Sequence, residues 1–368
     1  MKVVIAGGGT TGHLSPGLAV AAELKSRGAE IIFIGSGKGP ESRIVPRLGY
    51  EFRAVDVEGR GRGVVSIRNV RAVAKMLVAT ARCVAILFRF RPAAVVGTGG
   101  YASLPAAFAA RLMRVPLVLH EQNSVPGLAN RVAGRFASRV GVSFPGTESL
   151  LGGAAVLVGN PVRPALISFD RTRLRPSGLE EFGLADGRPT LLVFGGSQGA
   201  QSINEAVAAS YDALRDSEIQ ILHLAGPEKA EATRARVAEQ AREGDELRYE
   251  VVGYTDSMEL AYACSDLALC RAGASTIAEL AAVGLPAVLV PLPISLDDDQ
   301  RHNAQAVVEA GGGKMVLDKE LNPQVIVEIT RELLLDRPTL ERMGFAMVSL
   351  ARPDAAERFA DLVTEAAS

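Results

Sequence analysis

KVVIAGGGTTGHLSPGLAVAAEL, residues 2–24, and TLLVFGGSQGAQSINEAV, residues 190–207, decide the fold of this chain. In each stretch a β-branched apolar run stops at glycines, and an apolar periodic helix follows. Bare backbone N–H groups and the positive end of a helix then point outward together, an arrangement that holds anions. Two such units predict an α/β fold of two doubly wound, Rossmann-like domains that face each other across a cleft and bind a phosphate-bearing substrate.

Length, charge and cysteine usage limit the class of protein. The chain has 368 residues, more than one core usually supports, and 48% of them are hydrophobic, so two packed domains are expected. A formal net charge of -1 argues against a nucleic-acid partner bound through overall basicity. Three cysteines without a C-x-x-C pair indicate a reducing compartment and argue against structural zinc. A strand starts within two residues of the N-terminus and no long apolar run occurs, so neither a signal peptide nor a membrane span is expected.

Apolar runs alternate with helical patterns along the whole chain, which predicts parallel sheets covered by helices. The predicted strands are 2–6, 30–35, 93–97, 116–120 and 139–143 in the first half, and 190–194, 219–224, 248–252, 266–270 and 286–290 in the second. Two prolines in GNPVRP, residues 159–164, can continue neither helix nor sheet and indicate the interdomain joint. We therefore predict one domain over 1–163, a second over 164–353, and a last helix over 354–368 that packs back onto the first domain.

The first glycine loop also matches G-x-G-x-x-G through Gly7, Gly9 and Gly12, the fingerprint of dinucleotide enzymes. Those enzymes need an acidic residue at the end of the second strand to hold the ribose hydroxyls. Here that strand ends without one, and Glu41 comes several residues too late. A dehydrogenase would also have no use for a second phosphate loop, so we do not expect a nicotinamide cofactor.

His13 directly follows the first loop, at the start of a helix, and is the candidate catalytic base. A helix N-terminus disfavours the imidazolium, so the ring is expected to stay neutral and able to accept a proton. The alternative is a histidine that only caps the helix or packs under the loop.

A second cluster of polar residues lies in CRAGASTIAELAAVGLPAVLVPLPISLDDDQRHNAQ, residues 270–305. The helix that opens at 274–276 offers N–H groups to a diphosphate, and Glu279, about one turn later, can accept two ribose hydroxyls. Glu279 could instead be a capping-box glutamate that serves the hydroxyl residues at the helix start. Gln300 and Asn303 could read sugar hydroxyls at the mouth of the sheet, or they could lie on a solvated helix face.

Six segments together carry a resemblance to a known family. They are GGGTTGHLSP (7–16), GTGGYASLP (97–105), HEQNSVPGLANR (120–131), GNPVR (159–163), GGSQGA (195–200) and CRAGASTIAELAAVGLPAVLVPLP (270–293). In order and spacing they resemble the bacterial peptidoglycan glycosyltransferases known as UDP-N-acetylglucosamine:N-acetylmuramyl-(pentapeptide) pyrophosphoryl-undecaprenol N-acetylglucosamine transferases. The resemblance covers nearly the whole chain, and HEQN together with GGSQGA makes it specific.

The resemblance implies an inverting hexosyltransferase of the glycosyltransferase B fold, with the acceptor on the N-terminal domain and UDP-N-acetylglucosamine mainly on the C-terminal one. It implies that His13 takes the proton from the 4-hydroxyl of lipid-linked N-acetylmuramyl-pentapeptide, giving a β-1,4 bond and the disaccharide precursor of peptidoglycan. For the donor sugar, the resemblance implies contacts from Thr10, Thr11 and Gly12, which also line the diphosphate, from Asn123 to the N-acetylglucosamine, and from Gln300 to the sugar hydroxyls. For the nucleotide, it implies that Thr255 contacts uracil and Glu279 the ribose. The residues implied to bind phosphate are Arg163, Ser197, and Ala274, Ser275 and Thr276 with the adjoining Ile277 and Ala278.

Thr11 departs from the family pattern. The family usually has GGTGGH, and Thr11 replaces the first glycine of the later pair. A Cβ at that position narrows the backbone conformations that are available, which puts a direct sugar contact at Thr11 in doubt.

No metal and no cofactor are expected in the reaction. The leaving UDP gathers negative charge, which Arg163 and helix starts at 197 and 275 are expected to offset. The aspartates at 297–299 could be mistaken for a metal-binding motif, but they precede a helix, where acidic residues favour the dipole.

A basic block, residues 60–114, predicts attachment to an anionic membrane. From Gly59 to His120 the chain has no acidic residue and ten basic ones. The basic residues are Arg60, Arg62, Arg68, Arg71, Lys75, Arg82, Arg89, Arg91, Arg111 and Arg114, and the apolar ones among them include Met76, Leu77, Ile86, Leu87, Phe88 and Phe90. Each basic group near an anionic leaflet contributes about 1 kcal/mol, which predicts a peripheral protein at the cytoplasmic face of the cell membrane. The alternative is an ordinary amphipathic helix with a solvated basic face.

Two alternative hypotheses assign the chain to other functional classes. A UDP-N-acetylglucosamine 2-epimerase shares the architecture and the donor but would have no use for the basic block. A non-catalytic nucleotide-sugar sensor could keep the donor pocket while losing His13, and the presence of His13 argues against it.

Overall fold

The computed structural model describes residues 1–57, 67–152, 154–294 and 298–368, with only the backbone described at 11 and 67–71. The chain divides into two compact units. Unit 1 comprises Met1–Arg163 and Arg352–Ser368, and unit 2 comprises Pro164–Ala351. Unit 2 is therefore inserted in the sequence of unit 1.

Unit 1 contains a sheet of seven parallel strands, in the order β3-β2-β1-β4-β5-β6-β7. Its strands are β1 Lys2–Ala6, β2 Glu30–Ser36, β3 Glu51–Val55, β4 Ala94–Gly97, β5 Leu117–Glu121, β6 Arg139–Val142 and β7 Ala155–Leu157. Its helices are α1 Thr11–Ser26, α2 Glu41–Arg47, α3 Ile67–Phe90, α4 Leu104–Met113, α5 Leu128–Ala133, α6 Glu148–Leu151 and, after the insertion, α17 Ala355–Ala367, with a 3-10 turn at Gly134–Phe136.

Unit 2 contains a sheet of six parallel strands, in the order β10-β9-β8-β11-β12-β13. Its strands are β8 Thr190–Phe194, β9 Gln220–Leu224, β10 Arg248–Val252, β11 Leu267–Cys270, β12 Ala287–Leu289 and β13 Gly313–Met315. Its helices are α7 Pro164–Ile167, α8 Arg171–Glu181, α9 Gln201–Ala209, α10 Tyr211–Leu214, α11 Ala230–Ala238, α12 Met258–Ala263, α13 Ala274–Val283, α14 Asp299–Glu309, α15 Pro323–Ile329 and α16 Arg337–Leu350, with a 3-10 turn at Asp318–Glu320 and a π turn at Thr330–Leu334.

The central strands of unit 1 are buried on both faces, as is usual in parallel sheets covered by helices. Val3 and Ile5 of β1 pack into a cluster with Phe359 of α17, whereas Val4 and Ala6 pack into another cluster on the opposite face. Because successive side chains of a strand alternate between faces, the continuous apolar run of β1 supplies two cores at once. The helix α17 contacts α1 and β4 to β6, so the last residues of the chain belong to the core of unit 1.

The α/β class and the two Rossmann-like parallel sheets predicted from sequence are confirmed. Each predicted strand agrees with an observed one to within one residue at either end. Three strands, β3, β7 and β13, were not predicted. All three lie at sheet edges, where a strand is short or carries exposed polar side chains and so gives no long apolar run.

In each sheet, successive strands are added first on one side of the unit's first strand and then on its other side. In unit 1 the order reverses between β1 and β4, and in unit 2 it reverses between β8 and β11. In open parallel sheets ligands bind beyond the carboxyl ends of the strands at this switch point. The loops after these four strands are therefore the candidate binding regions.

Candidate active site

His13 lies in the first turn of α1, directly after the loop that leaves β1. Thr10 is the N-cap residue, and its Oγ1 accepts the His13 N–H at 3.4 Å. Thr10 is exposed and His13 is half-buried. The cap fixes the backbone of His13 at the switch point of unit 1 and leaves the position of its ring to the surrounding loops.

The loop after β4 forms a wall against the His13 ring. Gly99 and Gly100 have φ angles of +91° and +74°, which L side chains rarely adopt. A Cβ on Gly99 would lie 3.1 Å from Nδ1 of His13, and a Cβ on Gly100 would lie 2.7 Å from the carbonyl oxygen of Gly8. Only glycine allows this approach, which explains the two adjacent glycines in GTGGY.

The His13 ring starts a chain of hydrogen bonds that runs into the core of unit 1. Its Nδ1 lies 3.1 Å from Oε1 of Gln122. The side-chain nitrogen of Gln122 lies 2.9 Å from Nδ1 of His120, and Nε2 of His120 lies 2.9 Å from the carbonyl oxygen of Gly159. Gln122 and His120 are both buried, and burial lowers the pKa of His120 to about 4. The half-buried His13 is thus connected to groups that lie out of contact with water.

Glu121 shapes the loop that carries Asn123. Its buried carboxylate accepts the N–H groups of Asn123 and Gly127 at 2.9 and 3.0 Å, and the side-chain amide of Asn130 at 2.9 Å. Burial raises the pKa of Glu121, and these three hydrogen bonds oppose that rise. Asn123 is half-buried, and this carboxylate holds its backbone at the end of β5.

The expectation that the first glycine loop offers bare N–H groups is wrong for Gly7 and Gly9. The Gly7 N–H donates to the carbonyl oxygen of Ile34, and the Gly9 N–H donates to both carboxylate oxygens of Glu41 at 3.0 and 3.1 Å. Glu41 is only 1% exposed and also accepts the Ser36 N–H at 2.8 Å. The anion that this part of the loop holds is therefore a carboxylate of the protein itself, and the G-x-G-x-x-G match does not mark a dinucleotide site.

Thr11 and Gly12 begin α1 with helical backbone. Helical φ angles are accessible to every L residue, so the Cβ of Thr11 causes no backbone strain at this position. The backbone restriction expected from the missing glycine therefore has no consequence for the fold of the loop.

In unit 2 the helix α13 begins at Ala274, with Gly273 as its N-cap. Ala274, Ser275 and Thr276 form the first turn of α13, and the first turn of a helix is where anions bind most readily. Ile277 differs from them, because its side chain is buried in the core and its N–H donates to the carbonyl oxygen of Gly273. The first three residues of the helix therefore remain the candidate anion site.

Glu279 projects from α13 and is held by a tyrosine. The hydroxyl of Tyr262 donates to Oε2 of Glu279 at 2.7 Å, and Tyr262 is only 1% exposed. The N-cap position is occupied by Gly273, which has no side chain, so Glu279 is not part of a capping box. Glu279 and the neighbouring Ala278 are half-buried on α13, the helix that follows β11 at the switch point of unit 2.

Gln300 and Asn303 have different environments on α14. Oε1 of Gln300 accepts the N–H of Leu292, in the loop after β12, at 3.0 Å. Asn303 is fully buried, and its side-chain nitrogen donates to the carbonyl oxygen of Ala272 at 3.3 Å. Asn303 thus does not lie on a solvated face, and Gln300 uses its amide oxygen to hold the loop after β12. Asp297 lies outside the described residues, and Asp298 and Asp299 begin the helix.

The second glycine loop is longer than expected. The helix α9 begins at Gln201, so the prediction of a helix start at 197 is wrong, and Ser197 lies exposed in the loop itself. Gly199 causes the difference, because its positive φ turns the chain so closely that a Cβ would lie 1.9 Å from the carbonyl oxygen of Ala225. The loop must pass over the end of β9 before the helix can start.

The two remaining candidate residues lie at the margins of their units. Arg163 is half-buried and is the last residue of the first segment of unit 1. Thr255 follows β10, two strands from the switch point, and its Oγ1 accepts the Ser257 N–H at 3.0 Å. In unit 2 the structure brings the ends of β8, β11 and β12 together around Ser197, the start of α13 and Gln300, and it leaves Thr255 at the edge.

Arg271 is a residue of this region that sequence reasoning missed. Its guanidinium donates to the carbonyl oxygens of Val290 and Pro291 and to Oγ of Ser202, and it pairs with Asp318 at 2.5 Å. These contacts connect β11, the end of β12 and α9. The only sequence signal was a charged residue directly after a buried strand, two positions before Gly273.

Two Rossmann-like domains, with a histidine at one switch point and a helix N-terminus followed by a carboxylate at the other, fit a nucleotide-sugar glycosyltransferase of the B fold. Comparison with known families agrees with this class. The glycosyltransferase family 28 N-terminal domain matches residues 3–142, and the family 28 C-terminal domain matches residues 190–359. The chain therefore belongs to glycosyltransferase family 28.

Several relatives resemble the chain over nearly its whole length. The UDP-N-acetylglucosamine--N-acetylmuramyl-(pentapeptide) pyrophosphoryl-undecaprenol N-acetylglucosamine transferase of Nocardioides sp. is 44% identical over 99% of this chain and 98% of its own. The transferase of the same name from Halothermothrix orenii is 36% identical over 100% of this chain and 99% of its own. The crystal structure of Acinetobacter baumannii MurG superposes with a TM-score of 0.79, at 30% identity and 99% coverage of both chains.

A likeness of fold alone extends further. The Neisseria meningitidis UDP-GlcNAc 2-epimerase bound to UDP-GlcNAc has a TM-score of 0.70 but only 13% identity, over 99% of this chain and 100% of its own. At that identity the shared fold does not indicate that the two proteins share an activity.

Proposed function

We propose that this protein transfers N-acetylglucosamine from UDP-N-acetylglucosamine to the 4-hydroxyl of undecaprenyl-diphospho-N-acetylmuramyl-pentapeptide, with inversion. The observation that carries the proposal is the 44% identity over 99% of the chain with the Nocardioides transferase. The product is the lipid-linked disaccharide used for peptidoglycan, which connects the protein to cell-wall synthesis, cell shape and division.

His13 is proposed as the general base of a single displacement. The acceptor O4 attacks the anomeric carbon as its proton passes to a ring nitrogen of His13, and the bond from that carbon to the β-phosphate oxygen breaks. UDP leaves with the bonding electron pair, and the imidazolium later releases its proton to solvent. The half-buried ring at the switch point of unit 1 supports this role.

The donor is proposed to bind to unit 2 through its phosphates and ribose. The first turn of α13 and the loop containing Ser197 would offset the charge of the leaving diphosphate with N–H dipoles, and Arg163 would add a charge-assisted hydrogen bond. Glu279 would accept ribose hydroxyls, while Asn123 and Gln300 would contact the sugar. Thr255 would meet uracil through its backbone, and Thr10, Thr11 and Gly12 would line the donor sugar.

Release of UDP tests the transferase assignment. We expect purified protein with UDP-N-acetylglucosamine to release UDP at an appreciable rate only when a lipid-linked muramyl acceptor is added, because the attacking oxygen belongs to the acceptor. Coupled measurement of UDP with and without acceptor checks this. Release that does not depend on the acceptor, or conversion of the donor to its 2-epimer, would instead favour the epimerase.

An exposed apolar stripe on α3 supports binding to a membrane. Val73, Leu77, Ala81, Ala85 and Phe88 follow one another at intervals of four or three residues, and all five are exposed. Such spacing places them on one side of the helix. Leu77 and Phe88 are each 67% exposed, so the helix shows solvent a face that would normally be buried. No helix among the described residues is long and apolar enough to span a bilayer.

Part of the basic block lies on α3 itself and on α4, the helix that packs against α3. Arg60 and Arg62 lie outside the described residues, as do the side chains of Arg68 and Arg71. Lys75 is half-buried and forms an ion pair with Asp56 at 3.2 Å, so its charge is partly neutralised. The remaining basic residues, Arg82, Arg89, Arg91, Arg111 and Arg114, are exposed. We infer that they and the apolar stripe hold the protein at the cytoplasmic face of the cell membrane, where anionic headgroups meet the arginines.

Replacement of the two largest stripe residues should release the protein from vesicles. We expect Leu77→Ser with Phe88→Ser to lower the partition coefficient onto anionic vesicles about tenfold or more, because each side chain loses the favourable transfer from water. Vesicle sedimentation at low and high salt measures the effect. The matched control is Phe345→Ser with Val348→Ser, which removes exposed apolar side chains from α16 of unit 2 and should leave binding unchanged. Equal sedimentation of both double variants would contradict the proposal.

A further inference from the structure

Gln122 has one possible orientation in the core of unit 1. Its side-chain nitrogen lies 3.0 Å from the carbonyl oxygen of Thr98 and 3.1 Å from that of His120. Carbonyl oxygens only accept hydrogen bonds, so this end of the amide must be the NH2 group. The amide oxygen is therefore the atom that faces Nδ1 of His13 at 3.1 Å.

His120 also has one possible protonation state. Its Nε2 faces the carbonyl oxygen of Gly159 at 2.9 Å and must carry a proton, whereas its Nδ1 faces the NH2 group of Gln122, which accepts no hydrogen bond, and must be unprotonated. A proton on Nδ1 would place two donors against each other. The ring is fully buried, edge-on to Phe359, and burial keeps it neutral because its pKa falls to about 4.

The orientation of Gln122 determines which ring nitrogen of His13 carries the proton. The amide oxygen of Gln122 is an acceptor, so Nδ1 of His13 must donate to it and the lone pair of the neutral ring lies on Nε2. The backbone of Gly99 packs so closely that even a Cβ there would come within 3.1 Å of Nδ1, which restricts the tilt of the ring. Both the tautomer and the orientation of the ring are set by neighbours that are remote in the sequence.

We infer that Gln122 and His120 are positioning residues, which hold His13 in the Nδ1–H tautomer and make Nε2 the nitrogen that accepts the proton of the attacking hydroxyl. The inference about the tautomer stands on the geometry alone, while its catalytic meaning rests on the proposed role of His13 as the base. When the ring becomes imidazolium during the reaction, Gln122 still accepts from Nδ1 and partly offsets the new positive charge.

A neutral partner suits a base that must give up its proton again. A carboxylate at the position of Gln122 would stabilise the imidazolium more strongly and would also repel the carbonyl oxygens of Thr98 and His120. Glu121, the carboxylate nearest to Gln122 in the sequence, accepts hydrogen bonds from Asn123, Gly127 and Asn130. The amide therefore fixes the tautomer without a strong ion pair.

Nitrogen NMR of the resting protein tests the tautomer without any reaction. The protein has four histidines, so 15N-histidine labelling gives four ring patterns, and His13→Ala identifies the one that belongs to His13. At a pH where the ring is neutral, we expect a protonated, pyrrole-type Nδ1 and an unprotonated, pyridine-type Nε2. A neutral histidine in water favours the opposite tautomer. A protonated Nε2 in the wild-type protein would overturn the inference, whatever the rate of the enzyme.

A variant tests whether Gln122 is the cause. We expect Gln122→Met, which keeps the length of the side chain and removes its amide, to shift His13 toward the Nε2–H tautomer and to lower kcat about tenfold with the donor KM unchanged. Gln305→Met, on the exposed face of α14, is the control and should alter neither quantity. Wild-type tautomer and kcat in Gln122→Met would refute the positioning role. If the tautomer is as inferred but His13→Ala retains full activity, the assignment of the base fails and the tautomer inference stands.

Discussion

His13→Ala is expected to lower kcat by about 10²–10⁴, the range over which a positioned general base contributes. Without the imidazole, the acceptor hydroxyl must lose its proton to water while it attacks the anomeric carbon. The dissociation constant for UDP-N-acetylglucosamine should change little, because none of the proposed nucleotide contacts is made by the His13 ring. Steady-state kinetics with the lipid-linked acceptor and a separate titration of donor binding measure the two quantities.

His302 provides the matched control for this substitution. It is an exposed histidine on α14, so His302→Ala removes the same ring from a place without the hydrogen-bonded surroundings of His13. We expect wild-type kcat for His302→Ala. A His13→Ala protein with unchanged kcat would remove the base from the proposed mechanism, and loss of donor binding in that variant would assign His13 to the nucleotide.

Glu279→Ala is expected to weaken donor binding about hundredfold, because hydrogen bonds to a charged group contribute about 1.5–3 kcal/mol each. The substitution also leaves the buried Tyr262 hydroxyl without the acceptor that it has at 2.7 Å. Calorimetric titration with UDP-N-acetylglucosamine and with UDP measures the loss, which should be similar for both ligands because they share the ribose.

Two further variants separate the ribose contact from a structural effect. Glu279→Gln keeps an oxygen for Tyr262, so it should fold normally and lose less affinity than Glu279→Ala. Glu218→Ala, at an exposed position of the same unit, should bind donor as the wild type does. If Glu279→Ala binds UDP normally while its melting temperature falls, Glu279 supports α12 and α13 and does not bind ribose.

The strands could be predicted from sequence because a strand buried on both faces must be apolar at every position. TLLVF and LALC are of this kind, and both were located to within one residue. The edge strand EFRAV carries charged, exposed side chains and pairs on only one side, so its sequence does not differ from that of a loop.

The candidate site was predictable only where its residues are neighbours in the sequence. His13 and the start of α13 were found because a helix N-terminus has a local signature. The hydrogen bond from His13 to Gln122 joins residues 109 positions apart, and the bond from Gly9 to Glu41 joins residues 32 apart. Contacts of that separation depend on how the strands are ordered in the sheet, and no local pattern encodes them.

Glu41 has a consequence for the annotation of sequences by their glycine patterns. A scan for G-x-G-x-x-G would assign this chain to the oxidoreductases, yet the amide that would meet a pyrophosphate is already occupied by a carboxylate from the helix after β2. The discriminating sign is a glutamate at the start of that helix, in place of an acid at the tip of the strand. Genome surveys that include the position of Glu41 could separate two kinds of glycine loop. In one kind a carboxylate of the same chain accepts the loop N–H groups, and in the other those groups are available to a coenzyme.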